Sequence, residues 1–288
     1  MQPLTAEENR KHVTATIRHG VVRYGPNEGW FPETDVEQVR HVRWQNEQYP
    51  NDRGEYCIGI TSDGVIWFHD GKDRIAAAND WRVRRYLYRG IDRRFNALLR
   101  DYLGNGLIEI SEGDRVINFG ANIGEVALAL NRKGAKVLAI EPDPYVLWAL
   151  KANARGRYID VSPSVAWKAD EVIDLHIATE KGDTSVVNRS TETLPMEAHK
   201  LDTLYWAYAL VCDGPVHLIV GDAEGAEPEV LLGATETLKR TRYVSIRVGA
   251  ERNGKCPGPE CRAILEKAGF NILMDESEIL IGENASYR

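Results

Sequence analysis

The pattern of hydrophobic and polar positions along the chain changes near residue 112. Beyond that point, apolar runs of strand length at 115–119, 136–140, 216–221 and 243–248 alternate with stretches of helical period such as 125–133. Strands that alternate with helices in this way predict a doubly wound α/β fold with a mostly parallel sheet. Sheets of this kind bind ligands outside the carboxyl ends of their strands.

Capping residues support the same assignment. Asp143 suits the N-cap of a helix that runs to about Ala154, and Pro228 suits the first turn of a later helix. Gly269 is expected to end a helix that begins near Cys261, and two short strand-like runs then finish the chain.

The first part of the chain has a different texture. The β-type runs 56–60 and 65–68 are separated by Thr-Ser-Asp-Gly, which predicts a hairpin, and a helix follows at about 92–103. We therefore predict a smaller β-rich region at 1–90, which serves acceptor binding or oligomerisation, and a larger α/β domain at 91–288.

Composition narrows the class of protein. The chain has 288 residues, 43% of them hydrophobic, and a net charge of -7, which suits a globular protein and disfavours a general nucleic-acid coat. No stretch approaches the ~20 apolar residues of a membrane span, and the polar N-terminus lacks the pattern of a signal peptide. A cytoplasmic location is therefore expected. The four cysteines lack zinc spacing and are expected to be reduced thiols.

Several arginines surround the predicted helix at 92–103. Two interpretations stay open: a solvated helix face, or a patch that binds a phosphorylated or otherwise anionic acceptor. The arginines are Arg82, Arg84, Arg85, Arg89, Arg93, Arg94 and Arg100.

The most informative stretch follows the first strand of the α/β domain and reads Asn118-Phe119-Gly120-Ala121-Asn122-Ile123-Gly124-Glu125. Gly120 permits a sharp turn and close approach to a ligand, and the helix start that follows can receive a carboxylate. The spacing is not that of a dinucleotide loop, and Glu125 is unfavourable beside a pyrophosphate. Asn118 and Asn122 offer oxygens to an ammonium, so an amino-acid tail suits this loop better.

Glu141 lies 21 positions after Gly120, at the end of the next strand. A carboxylate at this place in a βαβ unit can accept hydrogen bonds from both hydroxyls of a ribose. The two features together predict a ligand that combines an amino acid with a nucleoside.

Residues 113–252 resemble the FkbM family of S-adenosylmethionine-dependent methyltransferases. The resemblance rests on the stretch 116–124, on Ala139-Ile140-Glu141-Pro142-Asp143-Pro144, and above all on Asp222-Ala223-Glu224-Gly225-Ala226-Glu227. It implies a Rossmann-like class I methyltransferase fold, and methyl transfer to a hydroxyl of a small-molecule or sugar-like acceptor, with S-adenosylhomocysteine as the product.

The resemblance also implies site residues. Gly120, Asn122 and Gly124 hold the methionine tail, Glu141 the ribose, and Asp222 and Glu224 face the reaction centre. Ser164 and Val165 flank the adenine. The remaining predicted cofactor contacts are Asn118, Phe119, Ala121, Pro142 and Asp222.

The chain departs from the family at three places: Asn118 stands where Asp is usual, Val220-Gly221 where Lys-Ile is usual, and Arg247 where Glu is usual. The second departure removes a candidate catalytic lysine, and the third changes the charge near the acceptor. These departures leave a catalytically degenerate scaffold as one alternative, and a nicotinamide-dependent oxidoreductase is another.

A hydroxyl acceptor must lose its proton as the methyl bond forms, so a general base is expected. Asp222 and Glu224 are the candidates, with His69 beside Asp70 as a weaker one. We predict that no metal takes part, although a metal that bridges these acids and a diol acceptor stays an alternative.

Overall fold

The computed structural model describes residues 20–25, 36–45, 53–61, 65–78, 80–177, 184–187, 192–208 and 214–287. Within these ranges, 20–25, 36–45, 53–55, 61, 80–85 and 87–89 are described for the backbone only.

The secondary structure of the described residues is given in chain order. The strands are β1 (Gly20–Gly25), β2 (Val36–Gln45), β3 (Arg53–Thr61), β4 (Ile66–His69), β5 (Arg74–Ala77), β6 (Arg115–Phe119), β7 (Lys136–Ile140), β8 (Ile159–Ser162), β9 (Val165–Ala166), β10 (Glu171–His176), β11 (Thr193–His199), β12 (Val216–Gly221), β13 (Thr241–Arg247), β14 (Phe270–Glu276) and β15 (Ile279–Asn284). The helices are α1 (Asp80–Tyr102), α2 (Glu125–Asn131), α3 (Pro144–Ala154), α4 (Leu201–Ala207), α5 (Glu227–Leu232), α6 (Thr235–Lys239) and α7 (Gly258–Lys267).

A seven-stranded sheet forms the centre of the larger part of the protein, in the order β14-β15-β13-β12-β6-β7-β8. The strands from β13 to β8 pair in parallel, while β15 pairs antiparallel with both β13 and β14. The predicted strands 115–119, 136–140 and 216–221 coincide with β6, β7 and β12, so the doubly wound α/β prediction is confirmed. These central strands are almost wholly apolar because they are covered on both faces.

Three predicted helices are also confirmed with shifted ends. The Asp143 carboxylate accepts a hydrogen bond from the Tyr145 amide at 2.8 Å and caps α3, as the sequence predicts. Pro228 lies in the first turn of α5. The helix predicted near 261–268 is α7, which begins three residues earlier, at Gly258.

A small second sheet, in the order β10-β11-β9, was not predicted from the sequence. In β10, Glu171, Val172 and Asp174 are exposed, two of them adjacent, so the hydrophobic alternation is weak. The sheet buries a cluster of its own around Val165, Leu175, Ile177 and Ala198.

The described residues fall into two compact units. The first consists of the described residues up to Ala97 together with Trp148–Asn153, and the second of Leu98–Leu147 and the chain from Ala154 onward. In the first unit, β1 to β5 form an antiparallel meander, and the predicted hairpin appears as the pairing of β3 with β4, although its turn residues 62–64 lie outside the described chain.

The predicted helix at 92–103 is the second half of a longer one. Helix α1 begins at Asp80 and has a kink at Gly90, where φ is 67°. The Ile91 amide donates to Asp70 Oδ2 at 2.8 Å, which satisfies a backbone group that the kink leaves outside the helical pattern. Among the described residues, no helix is long and apolar enough to cross a bilayer.

Candidate active site

The glycine loop, residues 120–124, follows β6 and lies against the loop that follows β12. Gly120 has φ of 58°, and a Cβ at this residue would lie 1.7 Å from the backbone oxygen of Asp222. The two loops therefore meet backbone to backbone, and only glycine permits that approach. Gly124, with φ of 92°, is the N-cap of α2.

Glu141 joins the glycine loop to the loop after β7. Its Oε2 accepts the Asn122 amide at 2.7 Å, and its Oε1 accepts the Asp143 amide at 2.8 Å. The side chain is buried, and each carboxylate oxygen accepts one of these amides. The residue predicted to hold a ribose is thus fixed in orientation by two backbone groups.

Asn118 is buried at the end of β6. Its amide nitrogen donates to the backbone oxygens of Phe119 and Val220, both at 3.2 Å, and its Oδ1 has no hydrogen-bond partner. A buried polar atom without a partner is costly. An acceptor oxygen is therefore available at the end of the strand that precedes the glycine loop.

Asn122 has a different arrangement from Asn118. Asn122 adopts a φ of 53°. Its Oδ1 accepts the Ile123 amide at 2.8 Å, so that oxygen already has one local donor. Of the two asparagines predicted to face an ammonium, Asn118 alone presents an oxygen that is wholly unpaired.

The other predicted cofactor residues cluster at the same edge of the sheet. Phe119 and Ala121 are buried, and the Ala121 amide bonds to the backbone oxygen of Ile140 at 3.0 Å. Ser164 is buried beside Ser162, with their hydroxyl oxygens 2.5 Å apart. Two neighbours complete the set: Pro142 is partly exposed, and Val165 begins β9.

The acidic loop, residues 222–227, follows β12 and contains both predicted catalytic residues. Asp222, Glu224 and Glu251 each present one carboxylate oxygen, and these atoms lie within 4.8 Å of one another. Among the described residues this is the only group with the composition to hold a metal ion. Glu251 was not singled out as an acid from the sequence, although it follows β13, the parallel neighbour of β12.

Two carboxyl groups, Glu251 of this cluster and the neighbouring Glu227, have raised pKa values. Burial, with repulsion from Asp222, raises the pKa of Glu227 to about 7, although its Oε1 accepts the amides of Ala223 and Gly225. Burial likewise raises the pKa of Glu251 to about 7, and the charges of Asp222 and Glu227 add to the rise. The Oε2 atoms of Glu227 and Glu251 are buried without a hydrogen-bond partner.

Arginine side chains oppose this negative charge. The Arg247 Nε lies 3.5 Å from Asp222 Oδ2, and its Nη1 donates to Glu278 at 3.2 Å. The guanidinium of Arg252 donates to both carboxylate oxygens of Glu229 at 2.7 Å and to the backbone oxygen of Gly225 at 2.9 Å. Arg252 thus fixes the backbone of the acidic loop, and Arg247 partly neutralises Asp222.

Other sequence candidates have local contacts of their own or are exposed. His69 lies in the first unit, where its Nδ1 accepts the Gly71 amide at 2.9 Å and burial lowers its pKa, so its geometry explains a structural role. Of the arginine patch, Arg93 is exposed and Arg94 partly exposed, while the side chains of Arg82, Arg84, Arg85 and Arg89 lie outside the described residues. Cys57, Cys256 and Cys261 are free thiols, and Cys212 lies outside the described residues.

The strand order and the site together define a class of protein. Counted along the chain, the seven strands lie in the order 3-2-1-4-5-7-6, with the antiparallel strand between the fifth and sixth. The glycine loop after the first strand and the acid after the second complete the Rossmann-like fold of class I methyltransferases.

Comparison with a family model then assigns the chain more closely. The model described as "Methyltransferase FkbM domain" matches residues 118–272, a little over half of the chain. The protein therefore belongs to the FkbM methyltransferase family, which confirms the resemblance seen in the sequence.

Three of the solved structures to which the chain is similar are methyltransferases. A TehB-like SAM-dependent methyltransferase from Corynebacterium glutamicum is 15% identical, with 71% of this chain and 95% of that one covered and a TM-score of 0.39. A ribosomal protein L11 methylase from Lactobacillus delbrueckii is 15% identical (68% and 80% covered, TM-score 0.38). A magnesium protoporphyrin IX methyltransferase from Synechocystis with SAH bound is 11% identical (68% and 81% covered, TM-score 0.37). Comparison with curated proteins finds no match.

Proposed function

We propose that this protein transfers a methyl group from S-adenosylmethionine to a hydroxyl of a small-molecule or sugar-like acceptor. One observation supports the proposal most directly. The glycine loop follows Asn118, whose buried Oδ1 is unpaired, and it lies in backbone contact with the acidic loop, which presents carboxylates. A site for a zwitterionic, nucleoside-containing cofactor thus adjoins a set of proton acceptors.

The chain fits this cofactor at three points. The Asn118 oxygen lacks a donor, which the ammonium of the methionine tail supplies, and the amino end of α2 suits the carboxylate of the same tail. Glu141, which two backbone amides fix in orientation, is assigned to the ribose hydroxyls. Ser164 and Val165 are assigned to the adenine, with Phe119, Ala121, Asn122 and Pro142 as neighbours.

S-adenosylmethionine, when bound, supplies a sulfonium methyl that is already activated, so the chain mainly has to orient the acceptor. Orientation of this kind contributes on the order of 7–11 kcal/mol in favourable cases. The acidic loop then accepts the proton of the acceptor hydroxyl.

Three carboxylates are available for that proton. Asp222 and Glu224 are the bases proposed from the sequence, and Glu251 joins them because its oxygen lies within the same cluster. A base works best when its pKa is near the working pH, which favours Glu251 on electrostatic grounds. Asp222 is instead held close to Arg247, which stabilises its charged form.

The test separates binding from turnover. Titration calorimetry should show that S-adenosylhomocysteine binds, and release of this product should be followed with a panel of sugars and polyols. Asp222→Asn and Glu251→Gln should each keep most of the cofactor affinity while turnover falls by about 10²–10⁴-fold for the residue that acts as base. Asp275→Asn, an exposed acid paired with Arg262, is the matched control and should retain activity. Equal loss of affinity and turnover would mark the altered acid as a binding residue.

A scaffold without catalysis is the second candidate function. The approach of Arg247 to Asp222 favours it, because the guanidinium restrains one candidate base. Binding of S-adenosylhomocysteine without turnover on any acceptor, also in Arg247→Glu, would support the scaffold. The family match leaves the nicotinamide-dependent alternative without support.

Three further features complete the proposal and rest on the sequence. They are an anionic acceptor that binds the arginine patch, self-association through the N-terminal region, and a reaction that needs no metal. Retention of cofactor binding and turnover in excess EDTA is the direct test of the third.

A further inference from the structure

A short segment at residues 184–187, here called the clasp, contacts two loops of the site, the loop after β7 and the acidic loop. It is anchored to β10 by two backbone hydrogen bonds between Ser185 and His176, at 2.9 and 3.0 Å. The segment therefore has a fixed base in the small second sheet.

Two hydroxyls of the clasp reach opposite sides of the candidate cofactor site. The Thr184 hydroxyl donates to Asp143 Oδ2 at 2.7 Å, and the Ser185 hydroxyl donates to the backbone oxygen of Glu224 at 2.9 Å. Ser185 is only 2% exposed, and its hydroxyl oxygen also accepts the Val187 amide at 3.1 Å. The serine hydroxyl is thus used both as donor and as acceptor.

The sheet order shows what lies between these two contacts. Asp143 follows β7 and Glu224 follows β12, and β6 lies between those strands. Two strand spacings amount to about 10 Å. The two loops that the clasp contacts therefore flank the carboxyl end of β6, where the glycine loop begins.

Each contact also supports a residue of the site. Asp143 donates its amide to Glu141, so the threonine contact stabilises the loop assigned to the ribose. Glu224 has φ of 49°, a left-handed conformation that is uncommon for a residue with a side chain. The serine contact holds the carbonyl of that strained residue.

We propose that the clasp closes the cofactor crevice, and that Thr184 and Ser185 are positioning residues that govern how fast the adenosyl cofactor leaves. This inference rests on the proposed function. Release of the cofactor then requires both hydroxyl contacts to break. Breaking the serine contact also frees the backbone carbonyl of Glu224. The same segment couples the ribose loop to the acidic loop.

The test uses the full-length protein and S-adenosylhomocysteine as the probe. Stopped-flow displacement gives the dissociation rate of wild type, Thr184→Val and Ser185→Ala. Each substitution should raise that rate about fivefold, the factor expected for one hydrogen bond. Ser185→Thr, which retains a hydroxyl, should have a dissociation rate close to that of wild type.

A matched control separates this role from general stability. Thr241 donates its buried hydroxyl to the backbone oxygen of Thr237 at 2.7 Å, at the opposite end of β13 from the site. Thr241→Val should lower the melting temperature and leave the dissociation rate unchanged. Amide exchange of the wild type adds a second readout, because the ligand should slow exchange across 184–187.

The outcomes are distinct. Dissociation rates equal to wild type in Thr184→Val and Ser185→Ala, or no ligand-dependent protection of 184–187, would overturn the clasp while leaving cofactor binding intact. Failure of the wild type to bind S-adenosylhomocysteine would overturn the proposed function and the clasp with it. If Ser185→Ala does not fold, Thr184→Val and the exchange experiment still decide.

Discussion

The glycine loop and the acidic loop touch each other, yet they are built on opposite principles. The glycine loop is held mainly by backbone groups and by one carboxylate, Glu141, which accepts two amides. The acidic loop gathers repelling carboxylates, and the pKa values of Glu227 within it and of Glu251 beside it are raised to about 7. A binding surface needs a fixed shape, whereas a proton-accepting surface needs groups whose charge can change near neutral pH.

The difference also decides what holds each loop in place. Close backbone packing at Gly120 fixes the glycine loop, so steric fit is the main constraint. The acidic loop depends on the guanidinium of Arg252, which offsets negative charge and bonds the loop backbone. Substitutions should therefore act through shape in one loop and through charge in the other.

The largest effect is expected from Gly120→Ala. The new methyl carbon would collide with the Asp222 backbone at 1.7 Å, and the φ of 58° disfavours alanine as well. Because neither partner is a flexible side chain, both loops must move. We expect unfolding free energy to fall by more than about 4 kcal/mol, with loss of S-adenosylhomocysteine binding, in denaturant titration and calorimetry.

Gly156→Ala is the matched control, since Gly156 has φ of 74° and nothing within 4 Å of an added Cβ. It should lose only about 1–2 kcal/mol, the cost of the left-handed conformation. Equal losses in the two variants would show that the contact between the loops contributes little.

The second effect concerns the acidic loop. Arg252→Ala removes a two-pronged bond to Glu229 and a bond to the Gly225 carbonyl. The arginine is about a third exposed, so we expect a loss of about 2 kcal/mol in denaturant titration. Arg252→Lys should recover only part of it because lysine lacks the planar fork. Arg262→Ala, which breaks an exposed ion pair, should lower the unfolding free energy by less. A loss as large as that of Arg252→Ala would contradict the conclusion that Arg252 holds the acidic loop in place.

The sequence predicted the glycine loop well and the acidic loop only in part. Periodicity identified β6, β7 and β12, and the carboxyl ends of parallel strands necessarily meet at one edge. Asp222 and Glu224 were proposed from the family resemblance, and they lie in the loop that follows β12. Glu251 was missed as a candidate because its proximity depends on how the loop after β13 turns, which hydrophobic period does not report.

The small second sheet and the clasp could not be predicted for a related reason. Strand β11 alternates Leu194, Met196 and Ala198 with more exposed residues, but its Pro195 argues against a strand in the sequence. In β10 the exposed residues include two neighbours, Glu171 and Val172, so its alternation is broken. Their pairing is long-range in sequence. Contacts such as that of Ser185 with Glu224, 39 residues apart, depend on tertiary placement alone.

The third effect is the pH dependence of stability. Burial raises the pKa of the Glu227 carboxyl to about 7 in the folded protein, against an ordinary value of 4.5, so the folded state holds the proton more strongly. Its stabilising contribution is therefore complete below about pH 4.5 and is lost as pH rises through 7. We expect this group to lower the unfolding free energy by about 1–3 kcal/mol between pH 5 and pH 8. Glu227→Gln, which keeps an oxygen for the amides of Ala223 and Gly225, should flatten that slope, and an unchanged slope would exclude Glu227 as its source.

The smallest effect is expected from Asn118→Asp, which should lower stability but strengthen binding of the ammonium of the cofactor. The Asn118 amide donates to the carbonyls of Phe119 and Val220, and a carboxylate would place a charged oxygen against those acceptors. We expect the protein without ligand to lose about 1–2 kcal/mol, measured by denaturant titration. The same carboxylate would bind an ammonium more strongly than an amide oxygen does, so S-adenosylhomocysteine should raise the melting temperature of the variant more than that of wild type. Asn153→Asp is the control, because the buried Asn153 also donates its side-chain amide to a backbone carbonyl, that of Ala76 in the first unit, while its Oδ1 accepts the Ala76 amide. It should lower stability without a larger response to the ligand, and an equally enlarged response in both variants would mean that Asn118 does not face the cofactor.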